Sequence, residues 1–331
     1  MFPTLSTQHY ERNPPMTKIA FIFPGQGSQT VGMGQQLIES NSERKKFYEL
    51  ADQKLGFSLS DIMLNGPAEE LTKTYHAQPA LLTTSIMIAK SLIDIGITPD
   101  YTAGHSLGEY SALVASGALS FEDAVSLVHQ RGLYMNEAVP AGEGAMAAIL
   151  GLEASLLKEV TQEVSNNGDI VQIANLNCPG QIVISGTAAG VEKASAKAKE
   201  VGAKRAIPLA VSGPFHSELM RPAAHKLDAA IDSINLSDAI PPVISNVTAL
   251  PVEKAADMKD LLVEQLYSPV RWEESIRQML DLGVDIFIEC GPGKVLSGLV
   301  KKVDRSVATY CVYDEASMQQ AITEIGEVIN G

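Results

Sequence analysis

Three side chains in this sequence have the types and settings that nucleophilic chemistry needs: a serine on a glycine-flanked turn, a histidine in a loop, and an arginine in an apolar helix. The serine is Ser106, in Gly104-His105-Ser106-Leu107-Gly108, a G-x-S-x-G pattern. A serine forced onto a tight strand-to-helix turn points its hydroxyl outward, and glycines two residues to either side relieve the crowding. The N–H of Leu107 faces the same space, and the dipole of the following helix favours negative charge there. A chance strand–turn–helix has the same five letters, so the setting matters. Here an extended segment precedes the motif, and Gly117 is available to cap the helix that follows.

A hydroxyl nucleophile needs a base. Of the six histidines, His105 adjoins the serine and must point its ring elsewhere, and His9 falls near the N-terminus. His216 sits in Ser212-Gly213-Pro214-Phe215-His216-Ser217, a turn between a strand and a helix. Such a loop can deliver an imidazole to a pocket. It can equally place the ring as a helix cap, and the pattern alone leaves both open. A catalytic imidazole also needs an acceptor on its second nitrogen. Hydrolases with this elbow supply an Asp or Glu, then a His near the chain end. Here 115 residues follow His216, and no Asp between Ser106 and His216 stands out in a strand-end loop. That departs from a simple esterase.

Two further features depend on context. Gly25-Gln26-Gly27-Ser28-Gln29 follows a strand and could turn backbone N–H groups toward an oxyanion. It lacks the Gly-Lys-Ser/Thr ending of a Walker A loop, and Thr30 breaks a G-x-G-x-x-G reading, so a plain turn is the alternative. Arg131 follows Ser106 by 25 residues, within a helix beside Leu127, Val128 and Leu133. A helical arginine is ordinarily a solvated surface residue. If this one faces a pocket, its planar fork matches a carboxylate.

These residues must be positioned by regular elements. Ile19–Phe23 reads as a buried strand, residues 34–55 as a helix, and Gln78–Ile95 as a buried helix. Leu107–Ser116 is predicted helical, and Ser120 caps the helix that carries Arg131. Near Gly142 the pattern changes. Strands at 145–150, 170–174, 181–184 and 205–211, with helices at 153–165 and 188–201, give the order βαββαβ of a ferredoxin-like unit. A turn is expected at Asn177-Cys178-Pro179-Gly180. Beyond it come a helix at 216–233, a strand at 243–246, helices at 258–265 and 272–282, a strand at 285–289 and a last helix at 294–303. The expectation is an α/β core with a mainly parallel sheet, formed by residues 16–141 and 212–331, with a ferredoxin-like insertion at 142–211.

Composition narrows the function classes. With 45% hydrophobic and 19% charged residues among 331, the chain can build a large packed core. A net charge of −14 argues against general nucleic-acid binding and against anionic membranes. Any anionic partner must meet a local basic patch. Three widely spaced cysteines suggest no zinc site and fit a reducing cytosol. No apolar run approaches a membrane span, and residues 1–15 read as a disordered lead-in.

The motifs FPGQGSQ at 23–29, GHSLGEY at 104–110, QRG at 130–132 and GPFHS at 213–217, followed by EQLYSPVRW at 264–272 and GPGKVLSGL at 291–299, resemble the malonyl-CoA:acyl carrier protein transacylases of fatty acid synthesis. The resemblance runs from about Thr17 to Val303. It implies a hydrolase-like core with an inserted ferredoxin-like subdomain. It implies Ser106 as the acyl-accepting nucleophile, His216 as the base, and Gln265 as the residue whose backbone carbonyl orients that histidine. Gln26 and Leu107 then resemble the oxyanion N–H donors, Arg131 the partner of the malonyl carboxylate, and Asn175 and Asn177 positions beside the thioester. Phe215 resembles the malonyl-selective form, since its ring leaves little room for an α-methyl group. The implied partners are malonyl-CoA and acyl carrier protein, with no cofactor and no metal. A monomer is expected. Lys294, Lys301, Lys302 and Arg305 are candidate docking residues for the acidic carrier. A serine thioesterase and a non-catalytic malonyl-CoA-binding protein are the alternatives.

Overall fold

A computed structural model describes residues 17–330, so the expected lead-in at 1–15 lies outside the described residues. The strands are β1 (Lys18–Phe23), β2 (Tyr101–Gly104), β3 (Gly144–Leu150), β4 (Val171–Cys178), β5 (Gln181–Thr187), β6 (Arg205–Pro208), β7 (Val243–Ile244), β8 (Pro251–Val252), β9 (Val284–Cys290) and β10 (Ala308–Val312). The main sheet has the order β10-β9-β1-β2-β7-β8. Its pairings are parallel except for β7 with β8. In β1, Ile19, Phe21 and Phe23 enter one core, while Ala20 and Ile22 enter a second core on the other face. A strand covered on both sides has no reason to alternate polar with apolar residues, which is why this run is apolar throughout.

Residues 144–208 build the second sheet, antiparallel in the order β4-β5-β3-β6. The helices Ala154–Asn166 and Ala188–Glu200 supply Leu157 and Ala194 to a core they share with Ile149 and Ile184 of that sheet. The expected α/β class, with a mainly parallel sheet and a ferredoxin-like insertion, is the observed architecture. We propose residues 142–211 as the extent of the insertion, a span that brackets this sheet. Val270 joins the two parts: its N–H donates to Ala174 at 2.8 Å and its carbonyl accepts from Leu176 at 2.9 Å.

Several local expectations are corrected. The helix expected over 34–55 is two, Gln35–Ser40 and Ser42–Leu55, because the Asn41 side chain accepts from Glu43 N–H and starts a new helix. β4 runs through Asn177 and Cys178, so the turn is shorter than expected. After His216 comes a short 3-10 turn, Glu218–Met220, and only then the helix Arg221–Ile231. The helix at Val295–Val303 is not the last: β10 and the helix Glu315–Asn330 follow. Met318, Ala321 and Ile325, three and four residues apart, bury that final helix against the core.

The sheet places the chemistry-bearing loops together. β1 and β2 are central neighbours, and His105 N–H donates to the Phe23 carbonyl at 3.0 Å. The loops leaving their carboxyl ends therefore meet, as is usual for sites on parallel sheets. The glycines of the elbow permit this. A Cβ on Gly104 would lie 1.9 Å from the Gly108 carbonyl carbon, and one on Gly108 would lie 2.1 Å from the Phe23 oxygen. Gly298, by contrast, has nothing within 4 Å of a Cβ and sits in a helix. Gly104→Ala is expected to cost at least about 3 kcal/mol through backbone overlap. Gly298→Ala should add about 0.5–1 kcal/mol by helix propensity. Urea midpoints measure both, and a Gly104→Ala protein as stable as the native chain would contradict this packing.

Candidate active site

Ser106 has φ 52° and ψ −106°, a conformation that L residues rarely adopt, and it directly precedes the helix Leu107–Ala115. Such a residue costs about 1–3 kcal/mol and persists only when its surroundings fix it. Here Asn246 spans the turn. Its Oδ1 accepts the Ser106 N–H at 2.7 Å and its Nδ2 donates to the Gly104 carbonyl at 2.7 Å. The Ser106 carbonyl accepts from Gln265 Nε2 at 3.0 Å. Strand β7 ends at Ile244, so Asn246 is delivered by the loop that leaves it.

His216 also has positive φ, 57°, in the loop before the 3-10 turn, and is 3% exposed. Its Nε2 lies 2.8 Å from Ser106 Oγ, and its Nδ1 lies 2.8 Å from the Gln265 main-chain oxygen. A carbonyl only accepts, so Nδ1 carries the hydrogen. Nε2 then has a lone pair to accept the serine proton. The neutral carbonyl does the orienting that a carboxylate does in a Ser-His-Asp triad. Burial first, and then the Arg131 charge, lower the pKa of His216 to about 3.

Arg131 contradicts the surface reading: it is 1% exposed. Gly132 explains how its helix, Phe121–Glu137, comes so close to the helix Thr74–Asp94. A Cβ there would lie 2.5 Å from the Tyr75 Cα. The guanidinium donates through Nη1 to Gln78 Oε1 at 2.7 Å and through Nη2 to Gln265 Oε1 at 2.8 Å. Nη2 is also 3.3 Å from Ser106 Oγ. These partners are neutral. Burial lowers the arginine pKa, yet a guanidinium stays protonated, so a positive charge sits beside the nucleophile. The nearby carboxyl is Glu109, pushed up to about 7 by burial, with hydrogen bonds from Gln265 and Asn246 and then the Arg131 charge opposing the shift.

A cavity of about 170 Å³ opens over these groups. Ser106, His216, Arg131, Gln26, Leu107, Asn175 and Phe215 line it, and Met135 and Met146 add apolar surface. Gln265 is buried and does not line the cavity, but it contacts three residues that do. Asn177 does not line it, but its Oδ1 lies 2.8 Å from Nε2 of His105, which does. Leu107 opens a helix, where first-turn N–H groups have no intrahelical acceptor. Gln26 is held by its side chain, which accepts from Thr74 Oγ1 at 2.7 Å. Among the described residues, no cluster of His, Cys, Asp and Glu is placed to hold a metal ion.

Residues 20–324 match the family model described as acyl transferase domain. A malonyl CoA-acyl carrier protein transacylase of Bacillus subtilis is 62% identical over 312 residues, 94% of this chain and 98% of the relative. The chain belongs to the malonyl CoA-acyl carrier protein transacylase family. A relative of that name from Staphylococcus aureus is 46% identical over 88% of this chain and 94% of its own length. Among solved transacylases of the family, an acyl carrier protein S-malonyltransferase from Vibrio cholerae superposes with TM-score 0.90 at 44% identity, covering 92% of this chain and all of that one. A malonyl-transacylase solved in complex with a type II PKS acyl-carrier protein gives TM-score 0.91 at 42% identity, covering 93% of this chain and 100% of its own.

The motif reading of this transacylase sequence missed Gln78, Glu109, Asn246 and the side chain of Gln265. Gln78 carried a signal, as a polar residue opening a helix read as buried, and Glu109 stood in plain view within the GHSLGEY motif without an assigned role. Asn246 carried none. The low pKa of His216 keeps its ring in the neutral, proton-accepting form from high pH down to about 3. The second-order rate of Ser106 labelling by a neutral sulfonyl fluoride should therefore be flat from pH 8 to about pH 5. An acid limb near the ordinary histidine value of about 6.5 would contradict this.

Proposed function

We propose that this chain transfers a malonyl group from malonyl-CoA to the phosphopantetheine thiol of acyl carrier protein through a malonyl ester on Ser106, supplying chain elongation in fatty acid synthesis. The observation that carries this reading is the buried guanidinium of Arg131. Among the described residues it is paired to no carboxylate, and it opens onto the cavity that holds Ser106 and His216. A cation in that place selects an acyl group with its own carboxylate.

In this reading His216 Nε2 takes the Ser106 proton as Oγ attacks the thioester carbonyl. The oxyanion forms toward the N–H groups of Gln26 and Leu107, and loss of one such donor typically costs about 3–4 kcal/mol of barrier. The tetrahedral intermediate expels the coenzyme A thiolate, which is protonated from His216. The carrier's thiol then attacks the ester, His216 again taking and returning the proton, and Ser106 is freed. Asn175 flanks the thioester, while Asn177 acts through His105. Phe215 restricts space at the α-carbon. The reaction consumes no bound cofactor, since coenzyme A is a product. For the carrier we favour Lys294, Lys302 and Arg305, which are exposed. Lys301 instead donates to the carbonyl of Arg305 at 3.3 Å and to that of Val307 at 2.5 Å, bracing the turn after its helix. No helix among the described residues is long and apolar enough to cross a membrane. We propose a cytoplasmic monomer.

Malonyl-CoA should add one malonyl group to the peptide containing Ser106, seen by mass mapping, and none in Ser106→Ala. A malonyl adduct that survives Ser106→Ala would refute the assignment. With carrier absent, coenzyme A release should stop after one turnover; steady release would favour a thioesterase. Arg131→Ala should lower kcat/KM for malonyl transfer at least about 100-fold more than for acetyl transfer, the scale of a broken buried ion pair. Equal losses would remove the carboxylate clamp.

A further inference from the structure

We infer that Glu109 is a positioning residue for malonyl selectivity, acting on Arg131 through the side-chain amide of Gln265. The inference rests on the malonyl-transfer reading above. Glu109 is 4% exposed and lies in the first turn of the elbow helix. Its Oε2 accepts from Gln265 Nε2 at 2.6 Å, and its Oε1 accepts from the Asn246 main-chain N–H at 3.2 Å. It makes no hydrogen bond to substrate-facing atoms and is absent from the lining of the cavity.

The argument turns on the two ends of one amide. The oxygen and nitrogen of a glutamine side chain are nearly the same size, so only its partners decide which way it points. Arg131 can use only the oxygen, because a guanidinium has no acceptor. At the other end, Gln265 Nε2 meets two acceptors and no donor: the Glu109 carboxylate and the Ser106 carbonyl at 3.0 Å. Above its pKa of about 7 the ionised carboxylate thus locks Oε1 toward Arg131, where it accepts from Nη2 at 2.8 Å. The same amide stands between the carboxylate and the guanidinium. It orients Arg131 while keeping Glu109 from pairing with it directly, and this leaves the cation for the substrate's carboxylate. Through Asn246, Glu109 also touches the residue that spans the elbow.

Glu109→Gln tests this at constant shape. Its amide must present a donor either to Gln265 Nε2 or to the Asn246 N–H. Turned to Gln265 Nε2, that donor faces a donor and Oε1 loses the partner that fixes its bearing on Arg131; turned to the Asn246 N–H, it leaves Gln265 a neutral acceptor in place of a charge-assisted one. The readouts are malonyl and acetyl transfer, each split into kcat and KM, together with Ser106 labelling by a neutral sulfonyl fluoride. The expected result is a fall of about tenfold or more in the malonyl-to-acetyl ratio of kcat/KM, the scale of one charge-assisted hydrogen bond. It should appear mainly as a raised KM for malonyl-CoA, with labelling within about threefold of native, less than half the span of one such bond. An unchanged ratio overturns the inference, and so does an equal fall for both substrates, which marks a merely structural role. If Glu109→Gln does not fold, Gln265→Met removes the amide and keeps the main-chain carbonyl that holds His216. It should show the same loss of ratio, and full discrimination in it overturns the inference. Native enzyme that forms no malonyl-serine would fail the underlying reading instead, so the two failures are distinct.

Discussion

The structure depends on how it holds one buried positive charge. Arg131 is surrounded by protein, and removing an ion from water costs several kcal/mol unless its donors are satisfied. Gln78 and Gln265 satisfy two of them with neutral oxygens. A carboxylate in either place would have formed a closed ion pair and left nothing for a substrate. Neutral acceptors keep the guanidinium aligned without neutralising it. The same charge acts on His216, helping burial to keep the imidazole unprotonated. One group can thus provide selectivity and keep the neighbouring base in its working form.

The second constraint is strain. Ser106 and His216 both have positive φ, and they come from loops 110 residues apart in the chain. Neither conformation would hold by itself. Asn246 bridges the elbow from one side, and Gln265 does so from the other while its carbonyl orients the histidine. Gln265 therefore serves the nucleophile, the base and the arginine with three different atoms. In the proposed mechanism this concentration takes the place of a triad acid, since the second nitrogen of His216 is engaged by backbone rather than by a carboxylate.

Much of this was legible in the sequence, for physical reasons. The elbow announces itself through the glycines at 104 and 108, whose missing side chains the packing requires. The βαββαβ order follows from hydrophobic period and turn residues, and the motifs carried the family. What could not be read was burial that depends on distant partners. Arg131 looks like a surface residue until Gly132 lets two helices close around it. Asn246 lies in a short segment after β7 with no pattern of its own, and its role exists only because the sheet sets β7 beside β2. The last strand and helix went unread although both carry a signal: residues 307–313 are a β-prone run of Val, Ala, Thr, Tyr and Cys, and Met318, Ala321 and Ile325 keep helical spacing beyond it. Local rules found the pieces; the contacts between pieces required the fold.

The central claim is that the arginine charge and the serine hydroxyl act on opposite ends of one small acyl group. A crystal structure of the enzyme soaked with malonyl-CoA in the absence of carrier tests this directly. The account predicts a malonyl ester on Ser106 Oγ whose free carboxylate lies within hydrogen-bond distance of the Arg131 guanidinium, with its carbonyl oxygen toward the N–H groups of Gln26 and Leu107. An ester whose carboxylate points into solvent, or an acyl group on a different residue, would contradict it.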